Sequence, residues 1–118
     1  MCIRDRAVAT LRGAELAVVA SPTYKATYTG LLKLFLDQIG TGDLAGVVAV
    51  PLMLGGGPTH ALAPELLLKP VLVELGATTP TRGLYLVDRV WDEPGPLDDW
   101  LAVAGPQVAA ARTAFRRD

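Results

Sequence analysis

Apolar residues fall along this chain in two alternating textures: short unbroken runs rich in valine, and longer stretches in which leucines recur every three or four positions. ELAVVAS (15–21) is an unbroken run, the pattern of a strand covered on both faces in a parallel sheet. GVVAVPLMLGGG (46–57) repeats it, and Pro51 predicts a bulge or a lost pairing there because proline has no N–H to give. TRGLYLVD (81–88) reads as a third strand. Between them, GLLKLFLDQIG (30–40) predicts a helix with Leu31, Leu34, Phe35 and Gln38 on one side, Lys33 and Asp37 one turn apart on another, and Gly40 as its stop. PTHALAPELLLKPVLVELGA (58–77) is helical by leucine spacing, with Pro58 in the first turn, Gly76 at the stop, and a kink or broken ladder expected from Pro64 and Pro70. PLDDWLAVAGPQVAAARTAFRRD (96–118) predicts an alanine-rich amphipathic helix interrupted at Gly105-Pro106, with Arg112, Arg116 and Arg117 suited to the negative end of its dipole.

The order is a helix tail followed by three strands, each with a helix behind it. Strands separated by helices of this length imply right-handed crossovers and an α/β fold, a parallel sheet with helices on both faces. Open sheets of this kind usually hold about five strands or more. Three are thin, which predicts that the native chain begins earlier. The opening MCIRDR agrees, because it resembles a leader that recurs in translated assembled reads and joins abruptly to the helix tail at 7–14.

Composition narrows the function classes. The 118 residues suit one domain, and a formal charge of −1 with a pI near 5.7 offers no basic field for nucleic acid or an acidic membrane surface. No apolar run reaches the roughly 18 residues of a membrane-spanning helix. Cys2 is the single cysteine, so no internal disulfide and no cysteine/histidine metal set is available, which fits a cytoplasmic protein.

Ligands of open parallel sheets bind outside the carboxyl ends of the strands, and two loops emerge there. SPTYKATYTG (21–30) offers aromatic surface from Tyr24 and Tyr28, hydroxyls from Thr23, Thr27 and Thr29, and a rigid turn at Pro22. GGGPTH (55–60) lets backbone approach a flat ligand at Gly55, Gly56 and Gly57 and opens onto a helix start that favours negative charge, with His60 either donating to an anionic ring or capping the turn. Each feature also has a plain structural explanation: turn geometry for the glycines, packing for the tyrosines, a solvated charge for Lys25. Asp88, Asp92, Glu93, Asp98 and Asp99 read as solvated loop and helix-start acids. There is no nucleophile elbow, phosphate-loop lysine or dinucleotide glycine fingerprint.

SPTYKATYTGLLKLFLDQI, together with the Gly55-Gly56 loop, His60, Lys69-Pro70 and the Leu75-Gly76-Ala77 exit, resembles the NADPH-dependent FMN reductase family over roughly residues 7–90. That family is flavodoxin-like and includes the reductase components of two-component alkanesulfonate monooxygenase systems. The resemblance implies a flavodoxin-like α/β/α domain over 7–118, behind a non-native leader at 1–6, without the family's first strand, first helix, second strand and Ser-rich phosphate loop. It implies FMN and NADPH as ligands. Pro22, Thr23, Tyr24, Lys25, Ala26, Thr27 and Tyr28 would border the isoalloxazine, and Gly55, Gly56, Gly57 and His60 its pyrimidine side, with no protein acid or base required. It further implies a homo-oligomer, dimer or tetramer, and a flavin-dependent monooxygenase as partner. Some relatives carry an aromatic residue where this chain has Leu66. Other readings of the same loops are an FMN-containing quinone, azo or chromate reductase, a non-catalytic flavin-binding module of the flavodoxin kind, and an inactive fragment.

Overall fold

The computed structural model describes residues 2–115; Met1, Arg116, Arg117 and Asp118, and with them two of the arginines expected at the last helix end, lie outside the described residues. In chain order the elements are α1 (Ile3–Arg12), β1 (Leu16–Pro22), α2 (Gly30–Leu36), β2 (Val48–Gly55), α3 (Lys69–Glu74), β3 (Leu84–Val87) and α4 (Pro96–Phe115). The strands form one parallel sheet in the order β1-β2-β3, with Leu16 beside Val48 and Leu52 beside Leu84. The α/β class and the parallel crossovers are those expected.

Side-chain alternation divides the sheet into two faces. Val19, Ala49 and Met53 point into the main core with Leu36, Ile39, Leu68 and Leu72 from the α2 and α3 regions, and Val8 and Leu11 of α1 pack against the same cluster. On the other face, α4 lies over β3 and β2, burying Ala104. Its Arg112 pairs with Glu15 just ahead of β1, but β1 stays open on this face, with Val18 58% exposed and Leu16 40%. β1 is therefore covered on one face only, which corrects the expectation of burial on both; an unbroken apolar run cannot say which strand is the edge.

Proline 51 is tolerated in the central strand for a geometric reason. Backbone groups of Val48 and Leu54 bond toward β1, whereas Ala49 bonds toward Thr78, so the proline nitrogen faces the β3 side. The ladder on that side has a gap between the Val48–Thr78 bridge and the first β3 pair at Leu52. Pairing with β1 continues unbroken through Val19–Pro51. The lost pairing is thus real but confined to one side.

The helices depart from expectation in three places. In α2 the inward face is Leu32, Phe35 and Leu36, continued by Ile39, while Leu31 is 78% exposed and Leu34 64%. The inward stripe lies one residue out of phase with the expected one, about 100° of rotation, and the helix ends at Leu36, before Gly40. Lys33 and Asp37 do pair, at 2.8 Å. The 58–77 segment breaks into a 3-10 turn at Pro58–His60, a π turn at Pro64–Leu68, and α3. The Lys69 N–H donates to the Pro64 carbonyl five residues back, immediately before Pro70, which has no N–H to give, so the prolines break the ladder as expected. Gly76 stops α3 at φ +96° and approaches Gly42 so closely that a Cβ would clash. Helix α4, by contrast, runs uninterrupted through Pro106. Ala102, whose carbonyl loses its partner there, is an exposed residue.

Candidate functional site

Strands β1 and β2 end side by side, and the Thr23 N–H donates to the Leu54 carbonyl at 2.7 Å, so the loops that follow leave the same edge of the sheet. The first is a two-residue hairpin. Tyr24 and Thr27 exchange backbone hydrogen bonds at 2.8 and 3.2 Å around Lys25 and Ala26, which have φ of 51° and 74°. Positive φ at both central residues is the tight hairpin geometry that Asn-Gly normally fills. Neither residue here relieves the Cβ crowding, so the turn carries strain of about 1 kcal/mol or more per residue.

The turn splits the sequence-predicted residues into two groups. Tyr24 presents its ring outward, 67% exposed, with the Lys25 ammonium 5.9 Å from the ring centroid. Tyr28 instead packs against the core. Thr29 caps α2, its hydroxyl accepting the Leu32 N–H at 3.1 Å, and its own N–H donates to the Ser21 hydroxyl oxygen at 3.0 Å. Thr23 Oγ1 is buried with no hydrogen-bond partner among the described residues. An unpaired buried hydroxyl costs about 1–3 kcal/mol, and this one adjoins the open edge.

The second loop is also divided. A Cβ at Gly55 would overlap the Tyr85 hydroxyl, whereas at Gly56 and Gly57 it would meet nothing. Gly55 is bare for Tyr85, not for a ligand; Gly56 and Gly57 face open space. The Tyr85 hydroxyl donates to the Gly57 carbonyl at 2.6 Å and Arg89 to the Gly56 carbonyl at 2.9 Å. The N–H groups of Gly56 and Gly57 have no partner among the described residues. Beyond them, Pro58–His60 is a single 3-10 turn rather than a helix start, too short for the dipole expected there. His60 is exposed and lines a cavity of about 450 Å³ with Ala26, Leu62, Ala63, Leu66 and Leu67, which joins the tips of the two loops.

The sequence profile of the NADPH-dependent FMN reductase family matches residues 4–92. The chain belongs to that family. It is 42% identical over 78 residues to the FMN reductase (NADPH) of Escherichia coli, covering 66% of this chain and 41% of that protein. It is 33% identical over 110 residues to the FMN reductase (NADPH) of Pseudomonas aeruginosa, covering 91% of this chain and 54% of that protein. The chain thus spans about half the length of these curated relatives. Among solved structures, the apo form of the NADH:FMN oxidoreductase EMOB superimposes with a TM-score of 0.75 at 32% identity, over 98% of this chain and 61% of that one. An oxidoreductase from Corynebacterium diphtheriae gives a TM-score of 0.82 at 25% identity, over 97% of this chain and 64% of that one. The flavodoxin-like α/β/α reading stands on these neighbours together with the parallel sheet.

In this member of the FMN reductase family, sequence reasoning missed Tyr85 and Arg89. Neither belongs to a motif, and their role appears only once β3 is set beside β2. The available signal was Gly55: a glycine at the end of a buried strand asks what large side chain the next strand lays over it.

Proposed function

We propose that this chain carries the ring-facing half of the site of an NAD(P)H-dependent FMN reductase, which moves a hydride from NADPH to FMN and supplies reduced flavin to a partner flavin-dependent monooxygenase. The observation that carries the reading is the meeting of two loops at one sheet edge. One has a strained, outward-facing Tyr24 turn, and the other has unpaired N–H groups at Gly56 and Gly57. The family membership and the FMN reductases among the relatives support it.

The residues present fit a flavin ring. Gly56 and Gly57 leave free the space that side chains would fill, and their N–H groups suit ring carbonyl and nitrogen acceptors. Thr23 Oγ1 lacks a partner that a polar ring edge would provide. Pro22, Lys25, Ala26, Thr27 and Tyr28 shape and hold the turn, and His60 closes the far rim. When bound, FMN supplies the two-electron acceptor for the hydride of a reduced nicotinamide nucleotide. The chain's own part would be to orient the ring and exclude water: the Tyr24 ring would shield it from solvent, and the Gly56 and Gly57 N–H groups would hold its polar edge and favour negative charge there.

The same proposal includes a cytoplasmic location and a homo-oligomer; Leu31, Leu66 and Val73 leave exposed apolar surface on the helices that suits subunit packing. Among the described residues no helix is long and apolar enough to cross a membrane. The test is NADPH oxidation with FMN as acceptor, wild type against Gly56→Val. Loss of FMN-dependent turnover with the fold retained supports the reading, and equal rates or no turnover in the wild type overturn it.

A further inference from the structure

Two side chains from β3 and the 3-10 turn after it take hold of the glycine loop by its carbonyls. Tyr85 donates to the carbonyl of Gly57 and Arg89 to that of Gly56, and these are consecutive residues. No cis peptide occurs among the described residues, so in the planar Gly56–Gly57 peptide the N–H points opposite to the carbonyl. With that carbonyl held by Arg89, the Gly57 N–H points away from Arg89 and has no partner among the described residues. A triple-glycine segment left to itself has more freedom than any other sequence and would sample both orientations of this peptide. Ring packing alone does not settle it, because the Tyr85 ring over Gly55 would remain without its hydroxyl.

We propose that Arg89, through the Gly56 carbonyl of the Gly56–Gly57 peptide, and Tyr85, through the Gly57 carbonyl on the other side of Gly57, are positioning residues that fix the loop on both sides of this residue, and so present the Gly57 N–H as a fixed donor to the ring of the bound flavin. The inference rests on the FMN reductase reading above. It assigns the two residues a task exercised through the loop they hold. Arg89 acts here as a hydrogen-bond donor to backbone, so a lysine that reaches the same carbonyl substitutes for it, whereas a methionine of similar length does not.

The test uses the full chain with FMN as the probe, read by flavin fluorescence titration and by backbone amide NMR. Tyr85→Phe is expected to weaken FMN binding about tenfold, the scale of one lost hydrogen bond to an ordered loop, with only a small fall in melting temperature. Arg89→Met should do the same and Arg89→Lys restore most of the loss. The FMN-induced shift of the Gly57 amide should collapse in Tyr85→Phe while that of Tyr24 persists, a selectivity that general loosening of the fold would not give. If wild type binds FMN and both Tyr85→Phe and Arg89→Met bind it as tightly, the positioning role is wrong while the FMN site stands. A uniform fall in stability and in every amide shift would make the two residues merely structural and also overturn it. If wild type itself binds no FMN, the function reading fails first, and this inference with it.

Discussion

The Glu65 carboxylate accepts the Gly83 N–H at 2.6 Å, joining the π turn to the residue that enters β3, and Lys69 clasps the same carboxylate at 2.9 Å while donating to the Thr81 carbonyl at 2.6 Å. The clasp has no room for a side chain at position 83, where a Cβ would strike the Glu65 nitrogen and Pro64. It holds the segment running from His60 to α3 against the sheet. Burial pushes the Glu65 carboxyl up, but the hydrogen bonds from Lys69 and Gly83 and the charges of Lys69 and Arg82 outweigh it and hold it below its ordinary value.

Glu65→Gln should therefore destabilise the fold by about 1–3 kcal/mol at neutral pH. The sign follows from a lowered folded-state pKa: the stabilisation is present above the pKa of free glutamate, about 4.3, and is lost as pH falls through the lower folded value. Urea unfolding of wild type and variant across pH checks this. The difference between them should be full at neutral pH and shrink in acid.

Lys25 and Ala26 hold positive φ without a glycine between them. Ala26→Gly should raise stability by about 1 kcal/mol, the relief of left-handed crowding less the extra entropy of glycine. Ala26→Val should lower it, since a β-branched side chain fits that region worse. Denaturant midpoints of the two variants should move in opposite directions from wild type.

The glycine loop predicts a contrast between neighbours. Gly55→Ala collides with the Tyr85 hydroxyl and should cost about 1–3 kcal/mol. Gly56→Ala meets nothing and should leave the melting temperature unchanged while weakening FMN binding. Thermal melts alongside FMN titration separate the two effects.

At the start of α2, Thr29→Ala removes the hydroxyl that accepts the Leu32 N–H and should cost about 1 kcal/mol, most of it recovered by Thr29→Ser. Urea melts of the pair read the cap directly, and a loss equal in both would point to packing of the Thr29 methyl instead.

Much of this architecture was legible because its signals are local. Valine runs and leucine spacing placed three strands and the intervening helices, Gly76 marked a true stop, and Pro64 with Pro70 foretold a broken ladder. What failed depends on neighbours far along the chain. The exposure of Val18 and the inward turn of Leu36 rather than Leu34 follow from which elements cover which face. Pro106 stands inside an unbroken helix, in a stretch where Ala102, four residues back, is exposed. At the site, both loops were readable from their position after adjacent strands. The strained turn at Lys25-Ala26 was not, since its sequence lacks the glycine or asparagine that usually announces that geometry. The hold of Tyr85 and Arg89 on the glycine loop was equally hidden, because only the register of β3 beside β2 brings them within reach.

The most direct test of the central claim is an amide NMR map of the 118-residue chain titrated with FMN. The account predicts saturable shifts concentrated at 22–28 and 55–60, with Gly56 and Gly57 among the largest, and little change along exposed α4. Shifts centred anywhere else, or none at flavin concentrations that saturate a reductase, would contradict it.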